Sequence, residues 1–385
     1  MKRDYSLLGD DSRRAVERGL ASSNEWYRTA IPRKRMKELM QRSDTRATRD
    51  TALWLAIIVG FGVAGVLTWR SWWSLPIFFV YGTFYGSTAD SRWHESGHGT
   101  AFKTDWKNRA LYQLSCFMIF REPELRRWSH TRHHTDTVII GRDPEIITPR
   151  PPRLFFVLID FLGLKSIVVE VRGVVRHAFG HLSDEEGVYL PESEIPKLAR
   201  VARIWIAIWV ATITVAIATK SILPLLLIGG PKIYGSWFNL YCGLTQHIGL
   251  ADDVLDHRLN TRTVYMNPLF RVMYLNMNYH LEHHMFPMVP YHQLPVLPER
   301  SRRTKAGLTR SNDDYRVHAA DTCSCTTPFA TRTGYVRRFS QIGTPLPTPV
   351  VKLKRPLCFG HSMISPITKP SARCTCSWVH NPSVA

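Results

Sequence analysis

Residues 278–287 read NYHLEHHMFP, which places His280, His283 and His284 within a turn and a half of helix. Side chains three and four residues apart share a helix face, so the three imidazoles can converge on one point. The same spacing recurs in SHTRHHT, with His130, His133 and His134, and WHESGHG carries His94 and His98 four residues apart. Eight of the sixteen histidines thus fall in three clusters. A solitary histidine on an apolar face is ordinarily a core residue. Three clusters at ligand spacing point instead to metal binding, because neutral imidazole is the commonest protein metal ligand.

Eight imidazoles exceed what one octahedral ion accepts once a position stays open, which implies two metals. Thiolates are absent from the clusters and carboxylates are scarce, leaving iron, zinc or copper. Iron is favoured because paired irons with open positions can activate dioxygen, and no nucleophile, phosphate loop or hydrolytic triad suggests other chemistry. His247, in GLTQHIGLADD, is a candidate ninth ligand, against the reading of a histidine hydrogen-bonded to backbone at a membrane edge. Glu95, Glu282, Asp136, Asp143, Asp252 and Asp253 are candidates to accept the distal ring N–H of a ligand, against simple solvation on a helix surface. His177 and His181 repeat the four-residue spacing far from any cluster and read as structural. No catalytic residue separate from the metal ligands stands out.

The elements that must position these side chains are apolar runs. LWLAIIVGFGVAGVLTW (53–69) and WSLPIFFVYGTFYGS (73–87) are parted by little more than Arg70 and Ser71. IWIAIWVATITVAIAT (204–219) and the run from Ile222 to Leu244 are parted by Lys220 and Ser221. The second run is short, and Gly229, Gly230, Pro231 and Lys232 interrupt the fourth. Two hairpins of spans put both turns on one side of a bilayer and the histidine clusters on the other. Residues 1–50 carry thirteen Lys or Arg against eight Asp or Glu, so this flank is expected in the cytoplasm. No signal peptide is expected, since the first apolar run begins near residue 51. The apolar stretches 110–120 and 154–171 read as helices at the membrane interface; a single crossing by either would strand one cluster across the bilayer.

The net charge of +19 invites a nucleic-acid reading, but much of it sits in residues 300–385, with fourteen Lys or Arg and three Asp or Glu. No aromatic platform or nucleic-acid module accompanies it. That stretch also holds Cys323, Cys325, Cys358, Cys374 and Cys376 at spacings unlike common zinc sites. GFGVAG (60–65) matches a dinucleotide fingerprint, but a second strand and a downstream acidic residue are missing, so the glycines read as helix-packing positions.

HESGH, HTRHH and HLEHH resemble the three histidine boxes of the membrane fatty acid desaturase and hydroxylase superfamily, and NYHLEHHMFPMVPYHQLP resembles the desaturase form of the third box. The resemblance covers roughly residues 50–298. Within it, TQHIGLADDVLDHRLNTRTVYMNP (245–268) is most similar to bacterial hydrocarbon oxygenases of rhizopine catabolism. The resemblance implies two iron ions held by His94, His98, His130, His133, His134, His280, His283 and His284, with His247 where relatives place an additional ligand. It also implies electrons from a small iron–sulfur ferredoxin served by a flavin reductase, because no haem domain, flavin site or iron–sulfur cysteine set is fused to the body. Arg121, Arg126, Arg127 and Arg132 crowd the second box and are the expected docking face. The tail does not match the family's usual C-terminus, and its composition resembles translation out of frame.

The sequence therefore predicts an all-α integral membrane protein of the bacterial inner membrane. Four transmembrane helices in two hairpins carry a histidine-box di-iron cap, with the boxes and both termini cytoplasmic. A basic segment (1–50), a membrane domain (51–298) and a low-complexity basic tail (299–385) are expected. The expected activity uses dioxygen and two electrons to hydroxylate or desaturate a fatty acyl or hydrocarbon-like substrate. The rival, a membrane metal transporter, would place its ligands inside the spans, whose interiors are nearly free of ionisable residues.

Overall fold

A computed structural model describes residues 3–21, 26–146, 149, 151–297 and 316–318. Apart from 316–318, the expectations for the tail, its cysteines included, lie outside the described residues.

The chain is mostly helical. Among the described residues the two longest helices, Asp44–Leu67 and Ile195–Ala218, have 24 residues each. At 1.5 Å per residue such a helix is about 36 Å long, enough for a hydrocarbon core of about 30 Å. Among the described residues these are the two helices long and apolar enough to cross a membrane. Val59, Val63 and Leu67 on the first, and Ile204, Val210 and Ile217 on the second, are exposed. An uncovered apolar face of this size suits lipid rather than water. Ser43 starts the first helix by accepting from the Arg46 N–H, and Asp44 anchors that end by accepting from the Thr104 hydroxyl at 2.6 Å.

The second and fourth apolar runs are composite. Ser74–Gly82 passes through a π-helical turn, Thr83–Ser87, into Ala89–Gly97, so one rod leads from the hairpin turn to the first histidine box. A π turn inserts an extra residue and re-aims the helix beyond it. The fourth run is split into Leu223–Leu227, Pro231–Tyr234 and Trp237–His247 around Gly229, whose φ is +86°. Gly82 and Gly86 lie against this break: a Cβ on Gly86 would collide with the Pro231 carbonyl, and one on Gly82 with the Tyr234 ring. Gly62 and Gly65 face the rings of Tyr81 and Phe78 within one uninterrupted helix, while Gly60 meets open space. Helix packing therefore accounts for GFGVAG, and no strand or phosphate-binding turn is formed there.

The stretches read as interfacial form helices of 14, 8 and 15 residues, Asp105–Met118, Leu154–Phe161 and Leu164–Ala178. Leu154, Phe155 and Leu158 are exposed on the second of these. One departure from an all-α chain is the strand Thr263–Tyr265, paired in parallel with Arg316–His318. Val264 N–H donates to the Asn278 carbonyl, and the Asn278 side chain returns a bond to Val264. The backbone before the third box thus needs extended partners, a demand too short to show as sequence period.

His177 is buried and joins three elements. Its Nδ1 lies 2.5 Å from Glu122, the residue that starts the helix Pro123–Thr135 carrying the second box, and its Nε2 lies 3.2 Å from Glu186. Burial would lower its pKa, but the two carboxylates outweigh burial and raise it to about 9.

Stability in detergent should reflect both features. Gly86→Ala forces backbone apart and should cost about 1–3 kcal/mol, seen as a lower melting temperature, while Gly60→Ala should leave melting unchanged. Equal melting of the two variants would remove the close-approach role of Gly86. The raised folded-state pKa of His177 means that its contribution is complete below about pH 6.5 and is lost as pH rises through about 9. Melting should fall across that window, and His177→Gln should flatten the fall; an unchanged pH profile in the variant would exclude His177 as its source.

Candidate metal centre

The structure brings all nine candidate histidines together in two groups, as two metals require, and divides the second and third boxes between them. His94, His98, His130, His134 and His283 form one group, and His133, His247, His280 and His284 the other. Within each, the potential ligand nitrogens lie within 4.8 Å of one another. The division follows from helix geometry. Residues four apart stand about 40° apart around a helix, whereas consecutive residues stand about 100° apart. His130 and His134 therefore face one group while His133 turns to the other. The third box mirrors this, with His280 and His284 together and His283 sent across.

In the five-nitrogen group the Nε2 of His94 lies 2.8 Å from that of His283 and 3.1 Å from that of His130. His134 Nε2 is 3.1 Å from His130 Nε2 and 3.2 Å from His283 Nε2, and His98 Nε2 is 3.2 Å from His130 Nε2. In the four-nitrogen group, His280 Nε2 is 3.2 Å from His247 Nε2 and 3.0 Å from His284 Nε2. Burial, with repulsion from neighbouring rings, holds His94, His98, His134, His280, His283 and His284 well below the ordinary imidazole pKa. These rings are neutral, the form that ligates.

What turns the Nε2 lone pairs inward is the set of groups behind the rings. His133 Nδ1 donates to Asp143 at 2.9 Å, and His130 Nδ1 to Glu145 at 3.1 Å. His247 Nδ1 donates to the Asn260 carbonyl at 2.9 Å, and His284 Nδ1 lies 3.2 Å from the Thr137 hydroxyl. A proton held on Nδ1 leaves Nε2 as the donor atom. Burial lowers the pKa of His130 despite Glu145, whereas Asp143 overcomes burial and raises that of His133. Burial opposes ionisation of Glu145, but Arg126 and His130 hold its pKa well below the carboxylate range. Neutral lone pairs facing one another across about 3 Å fit the edges of a polyhedron around an ion with bonds of about 2.1 Å. All-imidazole groups with five and four donors suit iron, with positions left open.

Of the sequence candidates for ring partners, Asp143 takes that role, also accepting the N–H groups of Val138 and Glu145. Asp136 pairs with Arg142 at 3.0 Å, Glu282 accepts from the Thr263 hydroxyl, and Glu95 accepts the Tyr291 N–H while burial raises its pKa to about 7. Asp252 and Asp253 bind Arg3 and Arg18, tying down the N-terminal segment. His181 is exposed and His177 is in its ion pairs, so neither joins the groups. Thr137 and Asn260, already named behind the rings, escape sequence reasoning, and so do two further residues near the site. Glu145 lies two positions after Asp143 in GRDPEI, a second carboxylate on the same loop being its signal. Buried His257, whose ring centre lies 5.2 Å from that of His284, has no spacing cue. The expected docking arginines are also corrected: Arg121, Arg126 and Arg132 turn inward to Asp90, Glu145 and Asp136, and Arg127 alone of the four is exposed.

The purified chain should take up two iron equivalents. His94→Ala and His280→Ala each remove a donor from a different group and should each lose iron, measured by plasma emission. Asp143→Asn and Glu145→Gln keep every donor and should weaken iron affinity about 10–100-fold. Full iron content in both alanine variants, or active protein that carries zinc instead, would sink the assignment.

No curated protein matches the chain. The sequence profile of the fatty acid desaturase family matches residues 70–310, a stretch that makes up more than half of the chain and contains all nine histidines. The chain therefore belongs to the fatty acid desaturase family of oxygen-dependent oxidoreductases, and its two histidine groups are consistent with that family's di-iron site.

Proposed function

We propose that the nine histidines hold two irons, and that the protein oxidises an unactivated C–H bond of a fatty acyl or hydrocarbon-like substrate by hydroxylation or desaturation. The observation that carries this reading is the pair of all-imidazole groups, most of their rings buried, in a chain with two long helices whose apolar faces are uncovered. When bound, the irons supply dioxygen activation with two electrons. The chain's own residues do the rest. Asp143, Glu145, Thr137 and the Asn260 carbonyl fix the ring tautomers, and burial of six of the nine rings, His94, His130, His133, His280, His283 and His284, limits access of water.

In this reading the chain crosses four times, with the runs 73–87 and 222–244 as second and fourth arms and the boxes and termini on the cytoplasmic side of a bacterial inner membrane. The membrane domain is then 51–298. Electrons arrive from a ferredoxin and its flavin reductase. The narrower reading, an oxygenase of rhizopine catabolism, is supported by the likeness of residues 245–268, which carry His247 of the four-nitrogen group and the Asn260 carbonyl that accepts from it.

The test is expression in a lipid-containing host with a ferredoxin system, followed by mass spectrometry of the lipids. Wild type should give products that have gained one oxygen atom or lost two hydrogens, and His133→Ala should give neither. Product formation without dioxygen, or undiminished in His133→Ala, would refute the proposal.

A further inference from the structure

The reaction needs electrons from outside the chain, and electron tunnelling through protein decays exponentially with distance. A donor must therefore dock where the path from the surface to the histidines is short. The segment Trp26–Ile31 offers such a place. The Trp26 ring lies flat on that of His257, with centres 4.2 Å apart and planes 12° apart. His257 belongs to neither nitrogen group, yet it adjoins His284. The segment is strapped to both box ends: Trp26 Nε1–H donates to the Thr135 carbonyl at 3.0 Å, and the Thr29 hydroxyl to Met285 Sδ at 3.7 Å. Tyr27 N–H donates to the Leu255 carbonyl at 3.2 Å, and the Arg258 guanidinium lies 3.4 Å from the Tyr27 ring centre.

Charge marks the same face. Arg28, Arg33, Lys34 and Lys37 are exposed, and among the described residues none of the four is in an ion pair. The helix Arg33–Leu39 that displays three of them is fixed by Leu39, which packs with Tyr279, Val289, Leu294 and Leu297 around the third box. The arginines of the box-two helix are mostly spent on internal carboxylates, so the strap is the better positive surface.

We propose that the strap and the basic helix after it form the docking face for an acidic one-electron carrier protein, with Trp26 and His257 bridging it to His284. This rests on the di-iron reading of the site. Each docking oxidises the carrier by one electron and reduces the histidine-bound centre by one; two dockings supply the pair, and no bond is made or broken in the transfer.

The test uses the full iron-loaded chain in detergent with a reduced plant-type ferredoxin, followed by stopped flow, together with calorimetry of ferredoxin on the metal-free chain. The double variant Arg28→Glu, Lys34→Glu should lower the bimolecular rate roughly tenfold at low salt and weaken binding to the metal-free chain, whereas Arg127→Glu should change neither. Trp26→Leu should slow transfer within the complex severalfold, and Trp26→Phe less, with iron content and reduction by dithionite unchanged. A double variant that binds and reacts as wild type, or a loss on Arg127→Glu instead, overturns the docking face. Loss of binding to anionic vesicles with unchanged ferredoxin kinetics assigns the face to lipid and also overturns it. Slowing of dithionite reduction alongside that by ferredoxin would make Trp26 purely structural and remove the bridge. Wild type that dithionite reduces but ferredoxin does not would refute the carrier class in the functional reading itself, a result distinct from the others.

Discussion

Nine imidazoles crowded into a dry interior are unstable company unless something cationic sits among them. Their Nε2 lone pairs face one another at about hydrogen-bond distance, while at seven of them, His94, His98, His130, His134, His280, His283 and His284, burial and mutual repulsion oppose the protonation that would relieve them. Much of the surrounding structure serves this constraint. Carboxylates, a hydroxyl and a carbonyl behind the rings decide which nitrogen keeps its proton. The short strand Thr263–Tyr265 and the N-terminal strap close the sides of the same chamber.

The scaffold meets the constraint with unusual local structure near the membrane. A straight α-helix continued from Ser74 would present the first box at a different angle; the π turn at Thr83–Ser87 resets it. That turn lies where Gly82 and Gly86 admit the backbone of the broken stretch around Pro231. Small residues here let backbone approach backbone, a contact that any larger side chain would block.

The histidine pattern made the chemistry legible because helix spacing and metal geometry are both local. The two long helices were legible for the same reason, being runs of one residue class. The division into two groups was equally present in the spacing, since His133 and His134 are consecutive and cannot face one ion. Two metals were expected, but reading i+3 and i+4 as a single face concealed which histidine of each box goes to which. Glu145 and His257 were hidden for another reason: each acts through a neighbour set by tertiary packing, and neither has a periodic partner in sequence. The arginines near the second box show the opposite error, for positive residues close in sequence to a site read as an outward surface until internal carboxylates claimed three of them. The tail gave composition and no periodicity, and composition alone does not specify contacts.

The crossing of ligands between groups has a thermodynamic consequence. Because the box-two helix sends His130 and His134 one way and His133 the other, and the box-three helix does the reverse, neither group can form without orienting the helices that build its neighbour. An ion entering either group would bear the entropy of setting those helices in register, and the second would find its donors already aligned. Loading should then be cooperative, with chains carrying a single ion scarce at equilibrium, and damage to either group felt as a loss of affinity in both.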